Sequence, residues 1–498
     1  MELGSVESRL LLGIAICVAL LGYIYTVLSS PLAKVPGPWH TKWTDAVLKY
    51  TTVKGKRPSW VHSLHVKYDM LTILDKQGPV VRISPIEVSV QDPSATNQMY
   101  SVKNEFLKAK WYDYFQPDFK NVFSTIDVNY HRRHRRLLAS EISESGLNAH
   151  KHVVESKVRL TIERMAEEMA ERGVTDVHRW ALYMATDVIG ELSFGSSFRM
   201  LETKEECQYT RDLKLIGFAG GLRATFPTLI KINKFIPLPV ISKATNVRMR
   251  TSVYAAESLQ RHYKLVEEQG DDAKPTLLSK LYRANKNDKD TLPFEEIRND
   301  AMAYIVAGSD TTTNTLTYLI WEVCRRPEIK EKLLAELRML PDGFEDEDLK
   351  KLPYLNNVIQ ETLRLHAAIP SGLPRTVPPE GVTFGGYFIP GGYTVSAQAY
   401  STHRYPEVYP DPLKYDPSRW ENPTKAMKDA FLPFGGGSRI CIGVHLAKME
   451  LRLATARFFT RFPNSKVSRM EGFTDEDMEP ALYFLLAPKN QRCLIEAR

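Results

Sequence analysis

The stretch Phe431-Leu432-Pro433-Phe434-Gly435-Gly436-Gly437-Ser438-Arg439-Ile440-Cys441-Ile442-Gly443 leaves the backbone few options. A proline followed by consecutive glycines cannot be helix interior. Val444 to Phe462, by contrast, carries apolar residues at helical spacing and stops before Pro463. Cys441 is therefore expected where a tight loop enters a helix. Free N–H groups and the positive end of the helix dipole stabilise a thiolate there, and the thiolate is the form of cysteine that binds metal. A lone cysteine is ordinarily a small buried core residue. What sets this one apart is its glycines, which let backbone come close to the sulfur and to whatever the sulfur holds.

The other cysteines, Cys17, Cys207, Cys324 and Cys493, are too scattered for a disulfide framework, and none forms a C-x-x-C pair of the kind that holds structural zinc. A reducing compartment fits. The absence of any Asn-x-Ser/Thr acceptor agrees with a body that stays out of the secretory lumen. With 43% hydrophobic and 25% charged residues, the chain can bury a sizeable core. No linker or charge block divides its 498 residues. The net charge of +7 suits an acidic protein partner or an anionic membrane surface. Nucleic acid is a poor fit: the densest basic run, His131 to Arg136, is short and no nucleic-acid module accompanies it.

Leu10 to Leu28 is an apolar run long enough to span a bilayer core of ~30 Å as a helix. A cleaved signal peptide is the alternative, but the run exceeds a usual signal core, and Glu2 and Glu7 precede it where a basic segment would be expected. Lys34 and Lys42 follow it, which places the body on the cytosolic side. Val35-Pro36-Gly37-Pro38-Trp39 stiffens the exit. The expected organisation is an anchor over residues 1–30 and one catalytic domain over 31–498.

Helical periodicity dominates the body, as in Val153 to Ala170 and Trp180 to Leu192. Val80 to Val90 and Val382 to Val395 alternate like strands, and Gly385-Gly386 and Pro390-Gly391-Gly392 read as hairpin turns, so a small sheet is expected at each place. A long helix is expected from Ile297 to Arg326, and its middle, Ala307-Gly308-Ser309-Asp310-Thr311-Thr312-Thr313, is poor helix material. The Thr311 hydroxyl is expected to break the ladder and open a groove beside small Ala307 and Gly308, with Asp310 able to relay protons. On its own, such a segment is more simply a helix with a tolerated glycine. In Leu352 to Ala367, Glu361 and Arg364 stand three apart on a largely apolar helix, and Arg419 is available downstream as a further partner.

The cysteine loop resembles that of the cytochrome P-450 family, F-x-x-G-x-R-x-C-x-G, with Phe434, Gly437, Arg439, Cys441 and Gly443 at its fixed positions. Ala307 to Thr312 is similar to the family's A-G-x-D-T-T oxygen-activation motif, and Glu361/Arg364 with Arg419 to its E-x-x-R helix and later arginine. These motifs occur in the family's order over most of the chain. The likeness is closest to microsomal members from filamentous fungi, seen in Ala185 to Gly190 and around the oxygen helix.

The resemblance implies a mainly α fold with small β-sheets, preceded by one transmembrane helix, and haem b held by the Cys441 thiolate, which pushes electron density toward O–O cleavage. It makes Phe434 a shield for the thiolate and His131, Arg135, Arg375 and Arg439 propionate ligands, although His131 stands where many members have tryptophan. Gly308, Asp310 and Thr311 become the oxygen-activating residues, and Glu361, Arg364 and Arg419 hold the haem loop. Arg132, Arg133 and Arg136 would face an acidic electron donor, a membrane-bound diflavin reductase using NADPH at the endoplasmic reticulum.

The implied reaction inserts one atom of O2 into a hydrophobic small molecule, in fungi a step in specialised metabolism or, alternatively, detoxification. Peroxide-driven or isomerising chemistry, or a tethered haem or ligand-binding protein without turnover, are the other readings. Pocket walls are expected from Val102 to Phe123, Cys207 to Phe235, Tyr304 and Ile305, Ile369 to Leu373, and Leu482 to Leu485.

Overall fold

The computed structural model describes residues 2–72, 80–102, 106–116, 119–233, 235, 239–270, 276–279 and 292–497. Of the expected pocket walls, positions 103–105, 117–118 and 234 lie outside them.

The helices that frame the molecule are, in chain order, α1 (Glu2–Leu28), α2 (Pro93–Tyr100), α3 (Val128–Ala139), α4 (Lys151–Arg172), α5 (Val177–Phe194), α6 (Phe294–Cys324), α7 (Pro353–Leu365) and α8 (Val444–Arg461). Each of the long apolar patterns read from the sequence is a helix. Proline sits at the start of α7, where its missing N–H costs nothing. Gly173 and Gly195 close α4 and α5 in the left-handed conformation that ends helices. The middle of α5 is buried on every side, and α6 crosses the molecule beside it. Together with α4, α7 and α8 they enclose the main core, which includes Val154, Trp180, Met184, Leu319, Leu363 and Phe458.

The strands are β1 (Val80–Ser84), β2 (Glu87–Val90), β3 (Leu107–Lys108), β4 (Arg375–Thr376), β5 (Val382–Phe384), β6 (Tyr387–Ile389) and β7 (Thr394–Ser396). The expected hairpin at Gly385–Gly386 joins β5 to β6, and both glycines have positive φ (51° and 77°), as a tight turn between twisted strands requires. The second expected hairpin is corrected: Pro390-Gly391-Gly392 does not return β7 onto β6. Instead β7 pairs parallel with β2 and antiparallel with β4, in a five-stranded sheet of order β1-β2-β7-β4-β3. The end of the second alternating region therefore joins the sheet of the first, while β5 and β6 form a two-stranded sheet of their own. Val395 and Val88, partners in this pairing, are both buried against a second core beneath it.

α1 is long and apolar enough over Ser8–Leu28 to cross a membrane, and only 6% of its most apolar window is covered by the rest of the chain. The Pro-rich segment after it is pinned to the body by Arg82, which is buried and donates to the carbonyls of Leu32 and Val35, both at 2.7 Å, and to Thr41 Oγ1 at 3.1 Å. Gly37 permits that contact, since a Cβ there would lie 2.5 Å from the Arg82 carbonyl oxygen.

Candidate active site

The cysteine loop runs from Phe431 to Gly443, and α8 starts at Val444. Its glycines work against a neighbour. Gly437 has φ 61°, and a Cβ there would meet the Tyr100 carbonyl oxygen at 1.9 Å; at Gly436 it would meet Tyr100 Cβ at 3.0 Å. Their main task is thus to seat the loop on the end of α2, while the Cys441 N–H bonds back to the Phe434 carbonyl at 2.9 Å. Phe434 is half-buried and packs against the main core. Burial pushes the Cys441 thiol up, opposed by the Gly443 N–H and Arg135.

Across from the loop lies α6. Ala307 is exposed although most of the helix is buried, Cys441 is exposed in the loop, and Tyr304 of the same helix feels the charge of Cys441. The helix is unbroken through Thr311. Its hydroxyl donates to the Ala307 carbonyl at 2.7 Å, and Thr313, Thr315 and Thr317 each do the same four residues back. The expected break is thus replaced by a row of hydroxyls that share helical carbonyls, which accept a second bond without losing the first.

Asp310 is half-buried next to Thr311, and its charge reaches Tyr209. A Cβ on Gly308 would lie 2.7 Å from Ile189 Cγ1, so this glycine lets α5 approach α6. Behind the motif, Glu450 on α8 takes a hydrogen bond from Thr312, and burial raises its carboxyl to about 8.

His131, Arg135, Arg375 and Arg439, far apart in sequence, converge beside the cysteine loop. Arg135 donates to the Ile440 carbonyl at 2.7 Å, Arg439 to the Thr125 carbonyl at 3.0 Å and Arg375 to the Phe106 carbonyl at 3.3 Å. Lys108, which sequence reasoning missed, joins them from β3, where it is the direct cross-strand partner of Arg375. It is buried between the rings of Tyr112 and Phe123, at 4.1 and 4.4 Å, and donates to the Phe123 carbonyl. A strand of two residues carries no periodic signal that could have marked it.

These cations repel one another. His131 is pushed down to about 3 by burial and then by Arg439, Arg135, Lys108 and Arg375, and Arg439 falls to about 10 by burial, Arg375 and Arg135. Arg375 Nε is buried without an acceptor among the described residues. Such a cluster is matched by a ligand with two carboxylates, and a recessed thiol beside it by an iron. The residues present therefore fit haem.

The loop is held from outside by α7. Glu361 and Arg364 are fully buried and paired twice at 2.8 Å. Arg364 also donates to the carbonyls of His403 and Pro412, both at 2.7 Å. Glu361 further accepts from Trp420 Nε1 at 3.0 Å, Arg419 Nε at 3.3 Å and the Asp416 N–H at 2.8 Å. The link to the loop passes through His403, also missed from sequence. Its Nδ1 bonds the Arg364 carbonyl at 2.8 Å and its Nε2 accepts the Leu432 N–H at 2.8 Å. Burial lowers its pKa to about 3, so the ring is neutral and both bonds define one tautomer.

A helical body that sets one cysteine near a long helix, with cations that have no carboxylate partner among the described residues gathered beside it, fits a haem-thiolate enzyme. The comparisons agree. Residues 46–494 match the family model described as Cytochrome P450. The cytochrome P450 monooxygenase tazI of Aspergillus terreus is 46% identical over 97% of this chain and 97% of its own. Tryprostatin B 6-hydroxylase of Neosartorya fischeri is 31% identical over 88% of this chain and 78% of its own. Among solved structures, retinoic acid bound cyanobacterial CYP120A1 superposes with a TM-score of 0.70 over 93% of this chain and 99% of its own, at 20% identity, and so shares the fold. The chain belongs to the cytochrome P450 family and is a monooxygenase of that family.

Proposed function

We propose that this monooxygenase adds oxygen to a hydrophobic small molecule as a step in fungal specialised metabolism. Bound on Cys441, the haem supplies the reduction and cleavage of O2. The chain's own part is to hold its propionates with Arg135, Arg375, Arg439 and Lys108, with His131 beside them, and to shield the sulfur with Phe434. Thr311, whose hydroxyl is anchored on the Ala307 carbonyl, orders the proton reaching the oxygen side, and Asp310 replenishes it.

The observation that carries this reading is that Thr311 and Asp310 lie on α6, the helix whose Tyr304 feels the charge of Cys441. A ligand-binding protein without turnover needs no such hydroxyl and carboxylate on that helix, and the same pair argues against peroxide-driven or isomerising chemistry. The relatives named above support the fungal setting and the small-molecule substrate. Detoxification is the second reading, and apolar walls serve it equally well.

Electrons come from NADPH through a membrane-bound diflavin reductase that docks at exposed Arg132 and Arg136. The apolar stretch of α1 supports residues 1–30 as a single-pass anchor in the endoplasmic reticulum membrane, with residues 31–498 as the cytosolic catalytic domain. Thr311→Ala is expected to keep most NADPH consumption with reductase while releasing peroxide in place of product; unchanged coupling counts against the role of Thr311. Mass spectrometry of the producing organism with this gene disrupted decides the substrate. A less oxidised compound that accumulates as a product disappears supports biosynthesis, whereas an unchanged profile with lower tolerance of an apolar toxin supports detoxification.

A further inference from the structure

The segment from Phe119 to Thr125, just before α3, touches both the cation cluster and the expected pocket walls. Lys108 donates to its Phe123 carbonyl and Arg439 to its Thr125 carbonyl at 3.0 Å. The Phe123 ring meets Tyr112 at 5.8 Å, Phe484 at 5.9 Å and Phe115 at 6.3 Å between centroids. Phe115 in turn stacks on Trp111 at 4.9 Å and meets Phe484 at 4.6 Å, and a Cβ on Gly220 would lie 2.5 Å from its ring. Three of the wall stretches expected from sequence, around Trp111, Gly220 and Phe484, thus meet in one aromatic cluster. Phe123 and Tyr112 join that cluster to the cations through Lys108.

The segment lies outside every helix and strand, so its position depends on bonds from its neighbours. Asn121 shapes it from within, its side-chain oxygen accepting the N–H groups of Phe123 and Ser124 at 3.0 and 2.9 Å. From α6, the buried Asp300 accepts the Val122 N–H at 2.7 Å with one oxygen and bonds His134 Nδ1 with the other. His134 meets Glu296 Oε2 at 3.0 Å through its second nitrogen, which ties α3 to α6. Beside Asp300, Asn299 donates to the Lys120 carbonyl at 3.2 Å, and the Tyr130 hydroxyl donates to the same oxygen at 3.1 Å. Lys120, Ser124 and Thr125 line a cleft of about 850 Å³ together with Glu296 and Asn299. The segment therefore has open space on one side and the aromatic cluster on the other, and the bonds from α6 keep it against the rings.

We propose that Asp300 is a positioning residue for the substrate: by holding the Val122 N–H it sets Phe123 against Phe115 and Phe484, and so fixes the aromatic wall on which the hydrophobic molecule rests. This deepens the function proposed above and rests on it. A clamp between α3 and α6 needs only the oxygen that meets His134. The oxygen spent on a loop amide has a different task, which is to tie the wall to the helix that carries Asp310 and Thr311. Wall and oxygen-side residues then share one rigid element, and a molecule on the wall is held at a fixed place relative to both.

The test uses the full-length haem protein and two azoles that bind haem iron, imidazole and clotrimazole, each titrated by the shift of the haem absorption band. Imidazole occupies the iron alone, whereas clotrimazole adds bulky aryl groups that need the wall. The readout is the ratio of the two dissociation constants. Asp300→Ala is expected to lower the preference for clotrimazole about tenfold, the order of one hydrogen bond to a charged group, with imidazole within about twofold of wild type. Glu296→Gln, which alters the clamp on His134 and leaves the bond to Val122, is expected to keep the wild-type preference. If Asp300→Ala does not load haem, Asn299→Asp combined with Tyr130→Phe takes its place. That pair strips the Lys120 carbonyl of both side-chain donors without removing the buried Asp300, and a several-fold loss of preference is expected. An unchanged preference in the variant that loads haem overturns the proposal, as does an equal loss of both azoles or an equal loss of preference in Glu296→Gln. A wild type that binds clotrimazole no more tightly than imidazole overturns the hydrophobic-substrate reading instead.

Discussion

Arginine serves opposite purposes on the two sides of the cysteine loop. Around Glu361, Arg364 has a carboxylate and backbone carbonyls as acceptors and Arg419 shares the same carboxylate, all within the protein. Around Lys108, the cations Arg135, Arg375 and Arg439 face one another, and Arg375 Nε finds no acceptor among the described residues. Both regions are largely buried, so burial does not separate them. Pairing does: the first region is complete in the polypeptide and works as scaffold, whereas the second has no carboxylate among the described residues and, on the function proposed above, awaits an anionic ligand.

The largest expected effect tests the scaffold side. Glu361→Ala leaves Arg364 and Arg419 buried without their counter-charge and is expected to cost about 3–5 kcal/mol, read in denaturant melts of the haem-free chain. Arg375→Gln should do the reverse, leaving the haem-free chain as stable as the wild type or more so while speeding haem transfer to apomyoglobin. Equal destabilisation by both substitutions breaks the distinction.

Acid provides a finer comparison. His403 and His131 are both neutral in the fold, with pKa values of about 3 against an ordinary 6.5. Unfolding lets each take up a proton below that ordinary value. The stability of the haem-free chain is therefore full above pH 6.5 and falls as pH drops toward 3, by up to about 1.4 kcal/mol per pH unit for each histidine. Haem should change this for His131 alone, because propionates beside it favour the charged ring. Comparing His131→Phe and His403→Phe melts across this range, with and without haem, checks the difference: the His131 contribution should shrink on haem binding and that of His403 should not.

Much of this was legible beforehand, for reasons local to the chain. The glycine-rich loop, the helix after Cys441, the proline that starts α7 and the apolar stretch of α1 follow from backbone freedom and periodicity over neighbouring residues. What escaped depends on distant neighbours. The approach of α5 to α6 at Gly308 shows only once Ile189 is placed against it. Pro390-Gly391-Gly392 reads as a hairpin until β7 is seen to leave for β2. Lys108 matters through Arg375, far along the chain, and His403 through Arg364 and Leu432, 39 and 29 residues away, and neither carries a local mark.

The sequence by itself determined which residues could bind metal, cross a membrane or form helices, because those properties belong to side-chain chemistry and short-range spacing. Only the tertiary structure decided which charges are paired and which await a ligand, and that His134 faces carboxylates while its neighbour Arg135 faces the cysteine loop. Electrostatic environment is set by distance in space and by loss of water, and neither quantity exists until the chain has packed.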